Sequence, residues 1–292
     1  MSAGTLVLAL GPAAWAQQRP LVVGALEWSQ CTPDSNETVI ARALFHRRGA
    51  LWMALSTPEA SASLNLGRAT WVVTFDGRVL GSAVTVDTGF RSSARWTYPR
   101  DHVLRLVPGT HPPRVVNASR AFMGWRGCGP PPARPLVLVS MPNFRDPQRW
   151  RPFRPDTSGR QVMFSRFRAA VDSVLVCPGD TGKPEVWEYR ASDLVFDKSY
   201  KDARGRGLLA LRLDPAANTC EGATGAEWSA HWFFAGTDTL YLGSELEVVD
   251  AGDYDADGYS EVLFWHRGHA EDGYTLFYDQ FRKRVDYWWT YH

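Results

Sequence analysis

Between residues 253 and 261 four carboxylates are spaced as a hard metal ion requires. Asp253, Asp255 and Asp257 alternate, Gly258 follows, and Glu261 ends the run. Carboxylate oxygens at alternate positions converge on one point when a glycine lets the chain turn sharply. Calcium takes about six to eight such oxygens, whereas zinc favours His and Cys. The backbone carbonyl of Tyr259 is the natural fifth donor, which gives the expected ligand set Asp253, Asp255, Asp257, Tyr259 and Glu261. An EF-hand is excluded, because Phe264 stands at the twelfth place, where a bidentate Glu belongs, and both flanks alternate like strands. Calcium held there would relieve the mutual repulsion of the carboxylates and stabilise the fold by mass action, a structural role rather than a catalytic one. The competing reading is a solvated acidic turn.

Two other stretches could carry chemistry. His266, His269, Glu271 and Asp272 lie within seven residues, which suits a transition metal or an acid–base pair, and equally suits a polar turn. Between residues 144 and 168 arginines alternate with aromatic rings, and Arg149, Trp150, Arg151 and Arg154 form its densest part. Arginine pairs bidentately with phosphate or carboxylate and rings stack on sugars or bases, so a glycan or another anionic polymer is the expected ligand. Local ion pairing with Asp146, Asp156 and Asp172 is the plainer account. Trp288 and Trp289 could offer a sugar platform too, but neighbours on a strand face opposite ways, so one of them belongs to a core. No Gly-x-Ser-x-Gly elbow, phosphate-binding glycine loop or His-Glu-x-x-His helix occurs in the chain.

The elements that must position these residues read as strands. Short apolar or alternating runs fall at 21–28, 39–45, 51–56, 71–75, 79–86, 103–107, 135–140, 174–177, 185–189, 208–213, 229–234, 245–249, 261–265, 274–278 and 285–291, separated by Gly, Pro, Asp and Asn turns. The best helical stretch is 164–172. The spacing predicts an all-β sandwich, barrel or propeller.

Composition sets the remaining bounds. A chain of 292 residues with 45% hydrophobic and 22% charged residues can bury a large core, and its net charge of +1 gives no global attraction to nucleic acid or anionic lipid. Residues 1–16 hold an apolar run and an Ala-Trp-Ala pattern before Gln17, which reads as a signal peptide cleaved after Ala16, although no Lys or Arg precedes the run. No later apolar run is long enough to span a membrane. Cys31, Cys128, Cys177 and Cys220 are an even set with no Cys-x-x-Cys pair, which suits disulfides in an exported protein. Of three connectivities, Cys31–Cys128 with Cys177–Cys220 closes one loop in each half. Asn36 and Asn117 sit in glycosylation sequons.

Weak internal repetition points to the architecture. Residues 182–187 resemble 258–263, and 194–201 resemble 276–283. Half of the spacing approaches the roughly 40–45 residues of a propeller blade, and a grid of that period passes near Asp279, Asp238, Asp197, Asp156, Asn117, Asp76 and Asp34. With Asp253, Asp255, Asp257, Gly258 and Glu261 between hydrophobic strands, residues 245–291 resemble the FG-GAP repeats of integrin α-subunit propellers and the related VCBS repeats of bacterial secreted proteins. The Phe-Gly and Gly-Ala-Pro signatures are absent, and the copy around Asp180–Glu185 lacks the alternating carboxylates. The resemblance implies a blade in which the loop joins the first and second strands and holds calcium as a structural ion. The expectation is therefore a single irregular propeller of six or seven blades over residues 17–292, with two β domains divided near 130–135 as the alternative. The expected function is a calcium-stabilised, non-catalytic binding or adhesion module, secreted or held in the periplasm or cell envelope. A secreted hydrolase of glycans or phosphoesters and a structural accessory of an envelope assembly are the other readings.

Overall fold

The computed structural model describes residues 20–28, 39–57, 60, 64, 66–91, 101–109, 120, 122, 135–156, 158–176, 185–214, 229–269 and 271–290. Strand β7 (Leu136–Val139) is four consecutive apolar residues, all buried. The two-residue period of a strand sends Leu136 and Leu138 into one core and Val137 and Val139 into another, so the sheet containing β7 is covered on both faces. That sheet has seven antiparallel strands in the order β1 (Val22–Trp28), β7, β4 (Arg68–Phe75), β5 (Arg78–Arg91), β6 (Asp101–Leu106), β2 (Val39–Arg48), β3 (Leu51–Ala54). Because β1 also pairs with β2, six of the strands pair in a ring, most thinly at β2 and β6, where two residue pairs make the join. Leu26, Trp71, Val73, Phe75, Leu104 and Leu138 fill the inner core. The Trp71 Nε1–H donates to Thr85 Oγ1 at 2.8 Å, which satisfies the one polar group the ring of Trp71 carries inside.

The outer face of the ring meets a meander of four strands, β15 (Leu246–Gly252), β16 (Glu261–Gly268), β17 (Glu271–Tyr278) and β18 (Lys283–Thr290). Val249, Leu263, Leu276 and Tyr287 from one face of this meander pack with Val23, Phe45, Val137 and Val139. Its opposite face presents Val248, Val262, Phe264 and Phe277 to Leu208, Ala210, Trp232 and Phe234 of a third sheet. The third sheet runs β14 (Thr239–Ser244), β13 (His231–Ala235), β12 (Gly207–Leu213), β11 (Leu194–Lys201), β8 (Arg151–Pro152). Helix α1 (Ser158–Ala170) covers its far side through Met163 and Phe167, against Leu209, Leu211 and Phe233. The order of layers is therefore helix, five-stranded sheet, four-stranded sheet, ring. A short pair, β9 (Leu175–Val176) and β10 (Glu185–Val186), completes the described strands.

The all-β class is as the sequence predicts, and every expected strand run overlaps an observed strand. Strands β8, β11 and β14 were not among those runs. The helix begins at Ser158 rather than 164: Asp156 Oδ1 accepts the Gly159 N–H at 3.1 Å, and Met163, Phe167 and Val171 recur every fourth residue on the buried side. The described residues form sheets of seven, five, four and two strands rather than six or seven sheets of four. The internal repeat does not map onto equivalent positions, because β16 and β17 pair with each other whereas β10 pairs with β9 and β11 with β12 and β8. Asp76, Asp238 and Asp279 of the 41-residue grid fall in hairpin turns, but Asp197 sits at a bulge inside β11. A division near 130–135 would separate β7 from the ring it completes. Residues 1–16, the four cysteines and both sequons lie outside the described residues. No described helix is long and apolar enough to cross a membrane.

Phe264 is fully buried between the second and third sheets, with its ring 5.3 Å from that of Trp232 and 5.4 Å from that of Phe277. Phe264→Ala is expected to cost about 3–5 kcal/mol in denaturant unfolding. Val162→Ala, on the exposed face of α1, should change it by no more than about 0.5 kcal/mol.

Candidate metal centre

The loop between β15 and β16 is fixed before its carboxylates are considered. Phe144 stacks on Tyr254 with ring centroids 5.7 Å apart, and it lies so close over Gly252 that a Cβ there would meet its ring at 2.1 Å. The Asp253 N–H donates to the Arg145 carbonyl at 2.8 Å, pinning the loop entrance to the segment after β7. Ala256 and Gly258 take positive φ values of 63° and 88°, the conformations that fold the acidic run back on itself.

Three of the five expected ligands come together. Asp253, Asp255 and Glu261 each offer a carboxylate oxygen, and these oxygens lie within 4.8 Å of one another, a separation that two oxygens on opposite sides of an ion can span at bond lengths of about 2.4 Å. The side chains of Asp253 and Asp255 and the whole of Glu261 are almost fully buried. Asp257 stays on the exposed side and accepts the Tyr259 N–H at 2.8 Å, and Tyr259 lies under the Arg204 guanidinium. The loop's own amides partly compensate the buried charge. Asp253 accepts from the N–H groups of Asp257 and Gly258 at 3.1 Å each, and Glu261 accepts from Tyr254 at 2.7 Å.

That compensation is incomplete. Burial, aided by the charges of Asp257 and Asp253, pushes the Glu261 carboxyl from its ordinary 4.5 up to about 8. Burial likewise raises Asp253, against the opposing pull of the Gly258 N–H. Among the described residues, the cations within reach are Arg47 of β2, paired with Asp255, and Arg145, whose Nε lies 4.0 Å from Asp253. The three converging carboxylates against these two guanidinium groups leave one negative charge when all are ionised, and exposed Asp257 adds a second at the rim of the loop. The donors are hard oxygens, which suit Ca²⁺ or Mg²⁺ over zinc.

Sequence reasoning missed the polar network behind the loop. Buried Asp250 accepts from the Gly77 N–H at 3.0 Å and from Thr74 Oγ1 at 3.3 Å, across the joint between β15 and the β4–β5 hairpin. Asp76 in that hairpin accepts the Arg120 N–H at 3.2 Å, the Arg120 guanidinium donates to Asp146 at 2.5 Å, and Asp146 accepts from Ser260 Oγ at 2.5 Å. Ser260 immediately precedes Glu261, so the network runs from the ring back to the carboxylates. Asp250, set between Val249 and Ala251 in the run 246–252, was the available signal.

The other candidates fare differently. Trp150 is 2% exposed, packed on Phe234 and Phe281, and so is core rather than a stacking platform. Arg149, Arg151 and Arg154 are exposed beside it. Arg154 helps line a cleft of about 390 Å³ with Arg120, Phe153, Lys198, Asp197 and Tyr200. A second cleft, about 540 Å³, lies between the ring and the loop, with Trp71, Val72, Met141 and Asp255 in its wall. Trp289 is buried and Trp288 only partly, as strand alternation predicts.

Comparison with protein-family models, with curated proteins and with solved structures returned no match.

The raised carboxyl gives stability a definite pH dependence. Between about 4.5 and 8 the unfolded chain releases a proton that folded Glu261 retains, so metal-free stability is complete below the lower value and falls as pH rises through the upper one. Urea unfolding in chelator should show this fall, with a slope approaching 1.4 kcal/mol per pH unit from this group, and Glu261→Gln should flatten it.

Proposed function

We propose that the protein is a calcium-stabilised, non-catalytic binding or adhesion module that works outside the cell or in the cell envelope. The observation that carries this reading is the buried convergence of Asp253, Asp255 and Glu261 in a loop that joins the first and second strands of a four-stranded antiparallel meander. That is the place the FG-GAP and VCBS resemblance assigns to a structural calcium ion, with β15–β18 as a propeller-type blade. Strands β11–β14, four of the five strands of the third sheet, make a second antiparallel meander packed against it, the relation that neighbouring blades of an irregular propeller would have. An exported chain meets calcium at concentrations that favour occupancy, so the ion acts as a stabilising partner of the folded state.

Binding is the reading we favour because cationic side chains gather in the cleft beside β8: among the described residues its wall holds Arg120, Arg154 and Lys198 with Asp197. The ligand we assign is an anionic glycan or similar polymer, held along β8 by Arg149, Arg151 and Arg154 with Lys198 and Arg120 behind them.

The test is binding of the calcium-loaded chain to sulfated, carboxylated and neutral polysaccharides. Anionic polymers should bind in a salt-sensitive way, and Arg151→Ala with Arg154→Ala should weaken them at least about tenfold without lowering the melting temperature. Equal binding of neutral polymers, or an unaffected double variant, would remove the ligand assignment. Release of reducing ends would favour the hydrolase reading.

A further inference from the structure

One residue in the wall of the cleft beside β8 carries a buried donor that has no acceptor. Arg120 is largely buried, with its side chain 12% exposed. One arm of its guanidinium is committed, since Nη2 donates to Asp146 at 2.5 Å. The other is not: Nη1 is buried and makes no hydrogen bond. A donor left this way is costly, so a missing acceptor is the physical expectation. The guanidinium is also held in place, because Asp146 accepts in turn from the Trp150 N–H at 3.2 Å and from Ser260 Oγ at 2.5 Å.

Two further cations share the wall. Lys198 of β11 gives one hydrogen bond to Glu247 at 2.5 Å, and an ammonium group has three to give. Arg154, two residues beyond β8, is exposed and forms no ion pair among the described residues. The carboxylate in the wall, Asp197, is paired with Arg212 at 3.2 Å. Arg120 and Lys198 are matched by one carboxylate each, so the charge of Arg154 is left over. Phe153 and Tyr200 supply apolar wall, and the volume of about 390 Å³ suits a small organic group rather than a bare ion.

We propose that this cleft is a subsite for a tetrahedral oxyanion, a sulfate or phosphate ester, in preference to a carboxylate. The proposal rests on the anionic-ligand reading above and narrows it. Arg120, Arg154 and Lys198 reach the cleft from three parts of the chain, and each can take a separate oxygen of a tetrahedral ester. A carboxylate has two oxygens in one plane, which a single guanidinium already fills. Arg120 is the contact that discriminates, because its anchorage on Asp146 presets the free arm before the ligand arrives.

The experiment is calorimetric titration of methyl sulfate, methyl phosphate and acetate into the full chain at one ionic strength, without added calcium. Both esters should bind at one site, and acetate at least about tenfold more weakly. The tighter of the two esters identifies which kind of ester the cleft is built for. Arg120→Lys keeps the charge but loses the fork, and should weaken ester binding at least about tenfold. Arg154→Gln, on an exposed side chain that the fold does not need, should weaken it at least about threefold with unchanged circular dichroism. Arg166→Gln, exposed on α1 and outside the cleft wall, should leave it unchanged. Absence of ester binding, acetate bound as tightly as the esters, or binding unchanged in both Arg120→Lys and Arg154→Gln overturns the proposal. Esters bound by a chain that holds no anionic polymer would keep the subsite and remove the polymer reading, and polymer binding without ester preference would do the reverse.

Discussion

Several carboxylates removed from water at one point are the constraint on which the other features of this molecule depend. Burial of Asp253, Asp255 and Glu261 is expensive unless the charge is neutralised or hydrogen-bonded. The fold supplies both remedies in part: the loop amides turn inward, and Arg47 and Arg145 arrive from the ring and from the segment after β7. Each remedy comes from a different part of the chain. The loop can be this buried only where the ring, the four-stranded sheet and the connecting segment already meet.

The same joint explains the stacking of layers. The core between ring and meander is apolar, and apolar packing is non-directional, so it does not fix how one sheet is turned on the other. The directional contacts lie at its edge, where Asp250 accepts from Thr74 and Gly77, and the chain from Asp76 through Arg120 and Asp146 reaches Ser260. Breaking one member would leave its partners buried and unsatisfied, which costs more than the bond itself contributes. In our reading, calcium completes this network by supplying the charge that the two arginines leave unbalanced.

How much of this was legible beforehand depended on the distance between partners. The loop carboxylates lie within nine residues, so their spacing could be read directly, as could the alternation that buries Trp289 and leaves Trp288 partly exposed. The strands β15 to β18 were legible because apolar residues alternate along them. Trp150 looked displayable among its arginines, but burial is decided by Phe234 and Phe281, far along the chain. Strand β11 reads Leu-Val-Phe-Asp-Lys-Ser-Tyr-Lys, and the bulge at Asp197 breaks the period by which strands are recognised. The partners of Asp250 lie 173 and 176 residues away, and no local pattern encodes such pairings. The repeat does not carry over for a related reason: residues 194–197 lie within β11, whereas 276–279 run from the end of β17 into a turn, so similar short sequences occupy different places in the sheets.

The most direct measurement is thermal unfolding of the chain with excess calcium, with magnesium and with chelator, repeated on Asp255→Ala. A melting temperature raised by calcium, raised less by magnesium and insensitive to both in the variant is the predicted result. Melting curves of the unaltered chain that coincide in calcium and chelator would contradict the metal centre and the function built on it.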